Sequence, residues 1–323
     1  MFDVITIGSA TRDVILESDK FVTLSSKKFN NGIGECVALG SKIELDNIIF
    51  TTGGGATNAA ATFGSLGFQV ATIIKIGNDS PGKDVVEDLS RFGVSTKYVR
   101  VTKNGGTAYS ILLTMKDGER TALVHRGVSR SFTQKDIDWN GCKNTKWIYL
   151  TSLGGNFELS KKIIEHANKN SVKIMWNPGS VELESGIKMF SSLLPMVNVL
   201  NLNMEEAMNL TKKRTLKEMF KTLHSEGTIR IITDSTNGSF LWKDGEILSA
   251  ATTGVKALSR TGAGDAFGSG FLSGLIKKGD IKQALAIGTI NAESVIQKHG
   301  PKNGLLSVWP GLIKINRISI KLL

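Results

Sequence analysis

Cysteine is scarce: Cys36 and Cys142 are the only two in 323 residues, so neither a CxxC pair nor a disulfide framework can be built. A reducing compartment, the cytoplasm, is the expected location. Histidine is thin as well, and His125, His166, His224 and His299 show no short metal-ligand spacing. Five prolines against 35 glycines suit tight turns between strands and helices better than a proline-rich disordered chain. Aromatics make up only 7% and the lysine pairs at 27, 161, 212 and 277 are scattered. The net charge of +11 therefore favours anions in general without the interleaved basic and aromatic residues of a nucleic-acid surface. No apolar run approaches a membrane span. The opening MFDVITIG has an acid at Asp3 and no basic flank, which reads as a strand rather than a secretory leader. A GxSxG hydrolase elbow is absent too.

What is present is enough for one large core: 41% of the residues are hydrophobic, and chains of this length bury roughly 75% of their unfolded surface. FDVITIG at 2–8 is a short apolar run ending in glycine, the pattern of a buried parallel strand. From residue 147 the chain alternates KWIYL, a helix near 158–169, VKIMW, VNVLNL and IRIIT, the signature of a parallel sheet covered by helices. The pieces VILES, KFVTL, ECVALG and DNIIF within 14–50 are β-prone without a helical repeat. They pair naturally with TAYSILLTMKDGERTALVH at 107–125, where Lys116, Asp117 and Gly118 suggest a hairpin turn. Together these predict a small antiparallel lid over 14–50 and 107–125, on an α/β core formed by 1–13, 51–106 and 126–323. The closing KINRISIKLL reads as an edge strand or a frayed end rather than a membrane-touching tail.

The most informative stretch is SRTGAGDAFGSGFLSGLIKK at 259–278, a glycine turn running into a helix. Backbone N–H groups at Gly262, Ala263 and Gly264 can approach an anion closely, and the helix adds its positive end. A carboxylate beside such a turn repels a phosphate unless its charge is used, so Asp265 is a candidate general base; the simpler reading is a favourable first-turn charge. Gly262, Gly264 and Gly268 also make a GxGxxxG, but a dinucleotide turn belongs in the first strand–turn–helix of its domain. Phe267, Phe271 and Leu275 recur at helical spacing, while Gly268, Gly270 and Gly274 leave a thin face for close packing.

Other candidates lie at strand ends. Asp13 follows the first strand, placed either to hydrogen-bond a polar substrate or to serve a turn. TTGGGATNAAATFGSLG at 51–67 exposes glycine backbone before an alanine-rich helix, and its Asn58 offers both donor and acceptor to sugar hydroxyls. GNDSPGKD at 77–84 nearly matches a phosphate loop, but Asp84 stands where a hydroxyl is needed, Pro81 lacks a donor and Asp79 adds negative charge, so it is a structural turn. Asn177 ends another strand. Asn203 and Glu206 in NMEEA fit either a hydrated magnesium ion or a capping box. Asn291, on a late apolar helix, faces solvent or a bound base.

In order and spacing, GSATRD at 8–13, GGGATNAA at 53–60, GNDSPGKD, NMEEA and TGAGDAFGSGF at 261–271 resemble the ribokinase-like, PfkB-type carbohydrate kinases over nearly the whole chain. The resemblance implies a doubly wound, mostly parallel α/β sheet with helices on both faces and a β-sheet lid often used for dimerisation. It implies phosphoryl transfer from ATP, with Mg2+, to a hydroxyl of a sugar or nucleoside. By it Asp265 is the base and the N–H groups of Gly262, Ala263 and Gly264 form the anion hole. Asn203 and Glu206 order the metal, Asp13, Gly54 and Asn58 bind the acceptor, and Thr233, Gly238 and Asn291 lie by the nucleotide. Two positions depart from the family pattern. Ser259 and Arg260 replace a usual Asp-Thr, which puts monovalent-cation activation in doubt and leaves Arg260 either beside the phosphates or in solvent. Ser235 replaces a usual glycine in the nucleotide loop. A catalytically silent sugar- or nucleotide-binding regulatory protein of the same fold is the alternative.

Overall fold

A computed structural model describes residues 1–29, 32–115 and 120–323. The hairpin turn expected at Lys116, Asp117 and Gly118 lies outside the described residues.

The apolar runs assemble into one nine-stranded sheet. Its parallel part runs β14 (Ile229–Thr233), β13 (Val199–Asn203), β12 (Lys173–Trp176), β11 (Thr145–Leu150), β1 (Phe2–Ile7) and β6 (Val70–Ile73). Beyond β14, β15 (Ser239–Lys243), β16 (Glu246–Ala250) and β17 (Ile320–Leu322) continue it antiparallel, so the C-terminal segment is an edge strand. Successive residues point to opposite faces, and each face is buried under helices. Val4, Tyr149, Met175 and Val199 pack on one side with Phe63, Phe271 and Leu285. Ile5, Ile148, Ile174 and Leu200 pack on the other with Phe157, Phe190 and Phe220. Strand order reverses between β1 and β11, and at such a switch point the carboxyl ends of the strands open a crevice for ligand.

Two helices roof the first face, Ala263–Lys278 and Ile281–Ile296. They approach closely because the glycine face is real: a Cβ at Gly270 would lie 2.9 Å from the Asn291 Cβ, and one at Gly274 2.8 Å from the Ala284 Cα. The near-phosphate-loop is the structural turn expected, with Asp79 capping the Ser80–Arg91 helix by accepting from the Gly82 N–H at 3.0 Å.

The separate small sheet has the order β10 (Arg120–His125), β9 (Ala108–Thr114), β2 (Thr11–Glu17), β5 (Asn47–Gly53). It differs from the expectation in two ways. It is mixed, since β2 and β9 pair parallel across a long connection while the other pairs are antiparallel. It also takes in residues 11–13 and 51–53, so Asp13 sits within a strand rather than in a loop after β1. A two-stranded ribbon, β3 (Val22–Ser25) with β4 (Ile33–Cys36), stands apart from it, and β7 (Lys75–Gly77) pairs with β8 (Arg100–Thr102) beside the core.

Candidate active site

Gly262 adopts φ +80° and caps the Ala263–Lys278 helix, a left-handed conformation that suits glycine. Its Cα faces Pro301, whose Cβ would be 2.5 Å from any Cβ added there. The first helical hydrogen bond runs from the Ala266 N–H to the Gly262 carbonyl at 2.9 Å. The N–H groups of Gly264 and Asp265 therefore open the helix with no backbone acceptor among the described residues. Nothing lies within 4 Å of a Cβ built on Gly264, so the turn presents open backbone at its tip.

Asp265 is half-buried one residue further on. Its Oδ2 accepts from the Asn58 Nδ2 at 2.8 Å, joining two motifs 207 residues apart. Burial pushes the Asp265 carboxyl above its usual range, while the Asn58 hydrogen bond and the Lys302 ammonium pull it back. Tyr149, fully buried at the end of β11, has its hydroxyl pushed well up by burial and by the Asp265 charge. That hydroxyl has no hydrogen-bond partner among the described residues.

The expected acceptor residues adjoin this pair. Gly54, at φ +97°, caps the Gly55–Ser65 helix, and its carbonyl accepts from the Asn58 N–H at 2.9 Å. The buried Asn58 Oδ1 has no partner among the described residues. Asp13 is 5% exposed, accepts from the Thr11 Oγ at 2.8 Å and lies against Gly53. Burial raises its carboxyl, with hydrogen bonds from Thr11 and Ser110 and the charges of Lys302 and Arg12 acting the other way.

On the other side of the glycine turn lies a cavity of about 550 Å³, within the range of small-molecule sites. Thr233, Gly238, Arg260, Gly264, Phe267 and Glu293 are among the residues lining it. Both Glu293 oxygens are spent on the loop beside the cavity, accepting from the Thr253 N–H at 2.5 Å and its Oγ at 2.8 Å. Ser235 lines the same cavity at φ +47°, a left-handed conformation unusual for a residue with a side chain.

Asn291 is not there. It is fully buried, donating to the Ala266 carbonyl at 2.8 Å and the Thr62 Oγ at 3.3 Å and accepting from the Leu306 N–H at 2.9 Å. It faces neither solvent nor a base, because its amide is spent inside the core, where it satisfies the Leu306 N–H that burial would otherwise strand. Its helix reaches the cavity instead through Thr289, Ala292, Glu293 and Ile296.

Asn203 and Glu206 form a complete capping box at the start of the Met204–Thr211 helix. The Asn203 Oδ1 accepts from the Glu206 N–H at 2.8 Å, and the Glu206 Oε2 accepts from the Asn203 N–H at 2.9 Å. Burial raises the Glu206 carboxyl, the Asn203 hydrogen bond opposes this, and Glu205 and Asp265 add to it. The box engages one carboxylate oxygen only, so one carboxylate and a neutral amide remain the kind of donor set that suits a hydrated magnesium ion. No group of three or more acidic, histidine or cysteine side chains poised for a metal occurs among the described residues.

Sequence reading missed three residues here. Tyr149 was hidden inside a β-strand run, Glu293 inside a helix, and Lys302 inside PKNG, which reads as a loop. The carboxylate on an otherwise apolar helix was the one signal that could have drawn attention to Glu293.

Residues 1–307 match the sequence model of a family described as pfkB family carbohydrate kinase. A sugar kinase of Archaeoglobus fulgidus with no assigned substrate is 28% identical over 247 residues, covering 74% of this chain and 96% of its own. The crystal structure of adenosine kinase from Sinorhizobium meliloti superposes with a TM-score of 0.77 at 22% identity, covering 95% of this chain and 97% of that one. Arabidopsis thaliana ribokinase complexed with ribose and ATP superposes with a TM-score of 0.75 at 18% identity, covering 98% of each chain.

Proposed function

The chain belongs to the pfkB family of carbohydrate kinases and is a kinase of a sugar or nucleoside; from that premise we propose that it transfers the γ-phosphoryl group of ATP to an acceptor hydroxyl with Asp265 as general base. The observation that carries this reading is the Asp265–Asn58 hydrogen bond at 2.8 Å. It sets a carboxylate between the open backbone turn and the buried polar residues of the acceptor side.

ATP fills the 550 Å³ cavity, its phosphates reaching the turn past Thr233, Gly238 and Arg260. The occupant of the homologous Arabidopsis kinase supports this choice of donor. Gly264 and Asp265 N–H groups, with that of Gly262 behind them, stabilise the charge spreading over the transferring phosphoryl group, while the Ala263 N–H donates to the Arg260 carbonyl at 3.4 Å and holds the turn. Donors preorganised in this way are each worth about 10²- to 10³-fold in rate. Arg260, exposed on the cavity wall and without an ion pair among the described residues, adds a positive charge near the phosphates.

On the acceptor side, a hydroxyl-rich ligand satisfies the orphaned Asn58 Oδ1 and bonds to Asp13, while Gly54 lets the Ser9–Ala10 backbone pack against the start of the Asn58 helix. Asp265 takes the proton from the attacking hydroxyl, a step typically worth about 10²- to 10⁴-fold. Glu206 and Asn203 would hold magnesium through its waters, and the ion would neutralise phosphate charge.

The mixed sheet and its ribbon serve as the lid. Val22, Leu24, Ile33, Ile48, Phe50 and Leu123 are each about half exposed on it, an apolar surface of the kind that a second copy would cover. Sedimentation equilibrium tests this homodimer, which a concentration-independent monomer mass would exclude. No helix among the described residues is long and apolar enough to cross a membrane, and a cytoplasmic location is part of the proposal.

The test is ADP release with magnesium-ATP over a panel of pentoses, hexoses, their phosphates and nucleosides, with Asp265→Asn alongside. One acceptor that stimulates the wild type at least 100-fold over the variant supports both reaction and base. Nucleotide binding without turnover on any acceptor would sink the proposal.

A further inference from the structure

Lys302 is 4% exposed, and a lysine so deeply buried is rare unless paired. All three of its ammonium protons are placed: it donates to the Thr52 carbonyl at 3.1 Å, to the Thr52 Oγ, and to the Asp88 Oδ2 at 3.0 Å. The Thr52 Oγ donates in turn to the same Asp88 oxygen at 2.5 Å. One ammonium thus ties the last turn of lid strand β5 to the Ser80–Arg91 helix of the core.

The residues on either side of Thr52 and Lys302 lead straight into the site. Thr52 precedes Gly53, which lies against the Asp13 carboxylate, and Gly54, whose carbonyl anchors Asn58. Lys302 follows Pro301, which fills the space in front of Gly262. Gly300 passes within 3.3 Å of the Thr51 Oγ, measured from where its Cβ would be. The root of the lid and the start of the Asp265 helix are therefore held by adjacent residues of one loop.

We propose that Lys302 is a positioning residue of the phosphoryl-transfer site, fixing the root of lid strand β5 against the glycine turn so that the acceptor side and Asp265 keep their register. The inference rests on the kinase reading for its catalytic meaning but not for its structural content. Asp88 on the core helix pairs with the ammonium directly, and the charges of Asp13 on β2 and Asp265 on the glycine-turn helix act on it from further off. Burial lowers the Lys302 pKa and these charges raise it. A merely structural ion pair needs only Asp88; the Lys302 loop also reaches, through Thr52, the Gly53 that lies against Asp13 and, through Pro301, the Gly262 that opens the Asp265 helix.

Three variants separate the roles: Lys302→Met, Lys302→Met with Asp88→Asn, and Lys302→Arg. Lys302→Met alone leaves Asp88 unpaired and lowers Tm. The double variant removes both charges and recovers most of that loss. Amide hydrogen exchange, measured without any ligand, is expected to rise together in residues 47–58 and 260–266 of the double variant. Its acceptor KM is expected to rise about tenfold, the scale of one charged hydrogen bond, with the KM for ATP changed less than about twofold.

Lys302→Arg keeps the charge but presents a planar fork that cannot reproduce the three bonds, so it should fold and still show faster exchange in both segments. It carries the test if the methionine variants do not fold. Wild-type exchange in both segments in the double variant, or in Lys302→Arg, overturns the proposal. So does a wild-type acceptor KM beside a recovered Tm. Should no acceptor turn over at all, the exchange result still decides the role of Lys302, while the kinase reading fails separately.

Discussion

Asn58→Ala tests whether the Asp265 carboxylate is kept ionised by its neighbours. The amide donates to the Asp265 Oδ2 at 2.8 Å from a residue only 5% exposed. A hydrogen bond to a charged group contributes about 1.5–3 kcal/mol, and one pH unit corresponds to about 1.4 kcal/mol. Burial already raises the Asp265 carboxyl, and the amide opposes burial. Removing it should therefore move the acidic limb of kcat/KM upward. The sign is fixed: a base works only when deprotonated, so the variant loses activity first at low pH. The assay is kcat/KM across the acid range and up to pH 9 or so, compared with wild type. The loss should be about 10- to 100-fold below both limbs and shrink to the cost of the lost acceptor contact above them. An acidic limb at the wild-type position, with the same fold-loss at every pH, would refute the reasoning and leave Asn58 as an acceptor contact alone.

Other perturbations probe the remaining assignments. Glu206→Gln preserves the capping box, since a glutamine oxygen can still accept from the Asn203 N–H. Tm should stay close to wild type while the magnesium concentration for half-maximal activity rises several-fold; an unchanged magnesium titration would count against Glu206 as the metal residue. Asn291→Ala strands the buried Leu306 N–H, so it should destabilise by about 1–3 kcal/mol in chemical unfolding while the KM for ATP, measured well below Tm, stays near wild type. A KM effect without a stability effect would restore Asn291 to the nucleotide site. Ser235→Gly relieves a left-handed residue at φ +47° and should stabilise by about 1 kcal/mol, read as an upward shift of the denaturation midpoint.

The sequence was most legible where local physics decides. Short apolar runs became the parallel strands, and two of the three helix glycines, Gly270 and Gly274, became the face against the Ile281–Ile296 helix while Gly268 packs on Tyr149 of the sheet, because both patterns act within a few residues. Asp79 was readable for the same reason, since a cap lies three residues from the N–H that donates to it. Distance in the chain hid the rest. Asp13 was expected in a loop because TRDVILE finds its parallel partner in Ala108–Thr114, far along the chain. Asn291 looked like a ligand contact because a polar residue on an apolar helix is ambiguous until the buried N–H of Leu306 is known to need it. Lys302 could not be found at all, since PKNG has the composition of an exposed turn and only the fold brings Thr52 and Asp88 to it.

The departures from the family pattern acquire a physical meaning together. Ser259 supplies no charge; its Oγ accepts from the Thr261 N–H at 3.3 Å, so it shapes the approach to the glycine turn. A carboxylate at this position would need a counter-cation in a site that already carries Asp13, Asp265 and Glu206. The chain's positive charges at this centre are instead covalent, with Arg260 on the nucleotide cavity wall and Lys302 beneath the acceptor side. Fixed cations cost no ordering of a free ion and do not depend on its concentration, and they reorganise little as charge moves. On this argument, turnover should be insensitive to replacing potassium with tetramethylammonium in the buffer, whereas neutralising Arg260 or Lys302 should each lower it. A strict potassium requirement would show that the charge balance at the turn is made some other way.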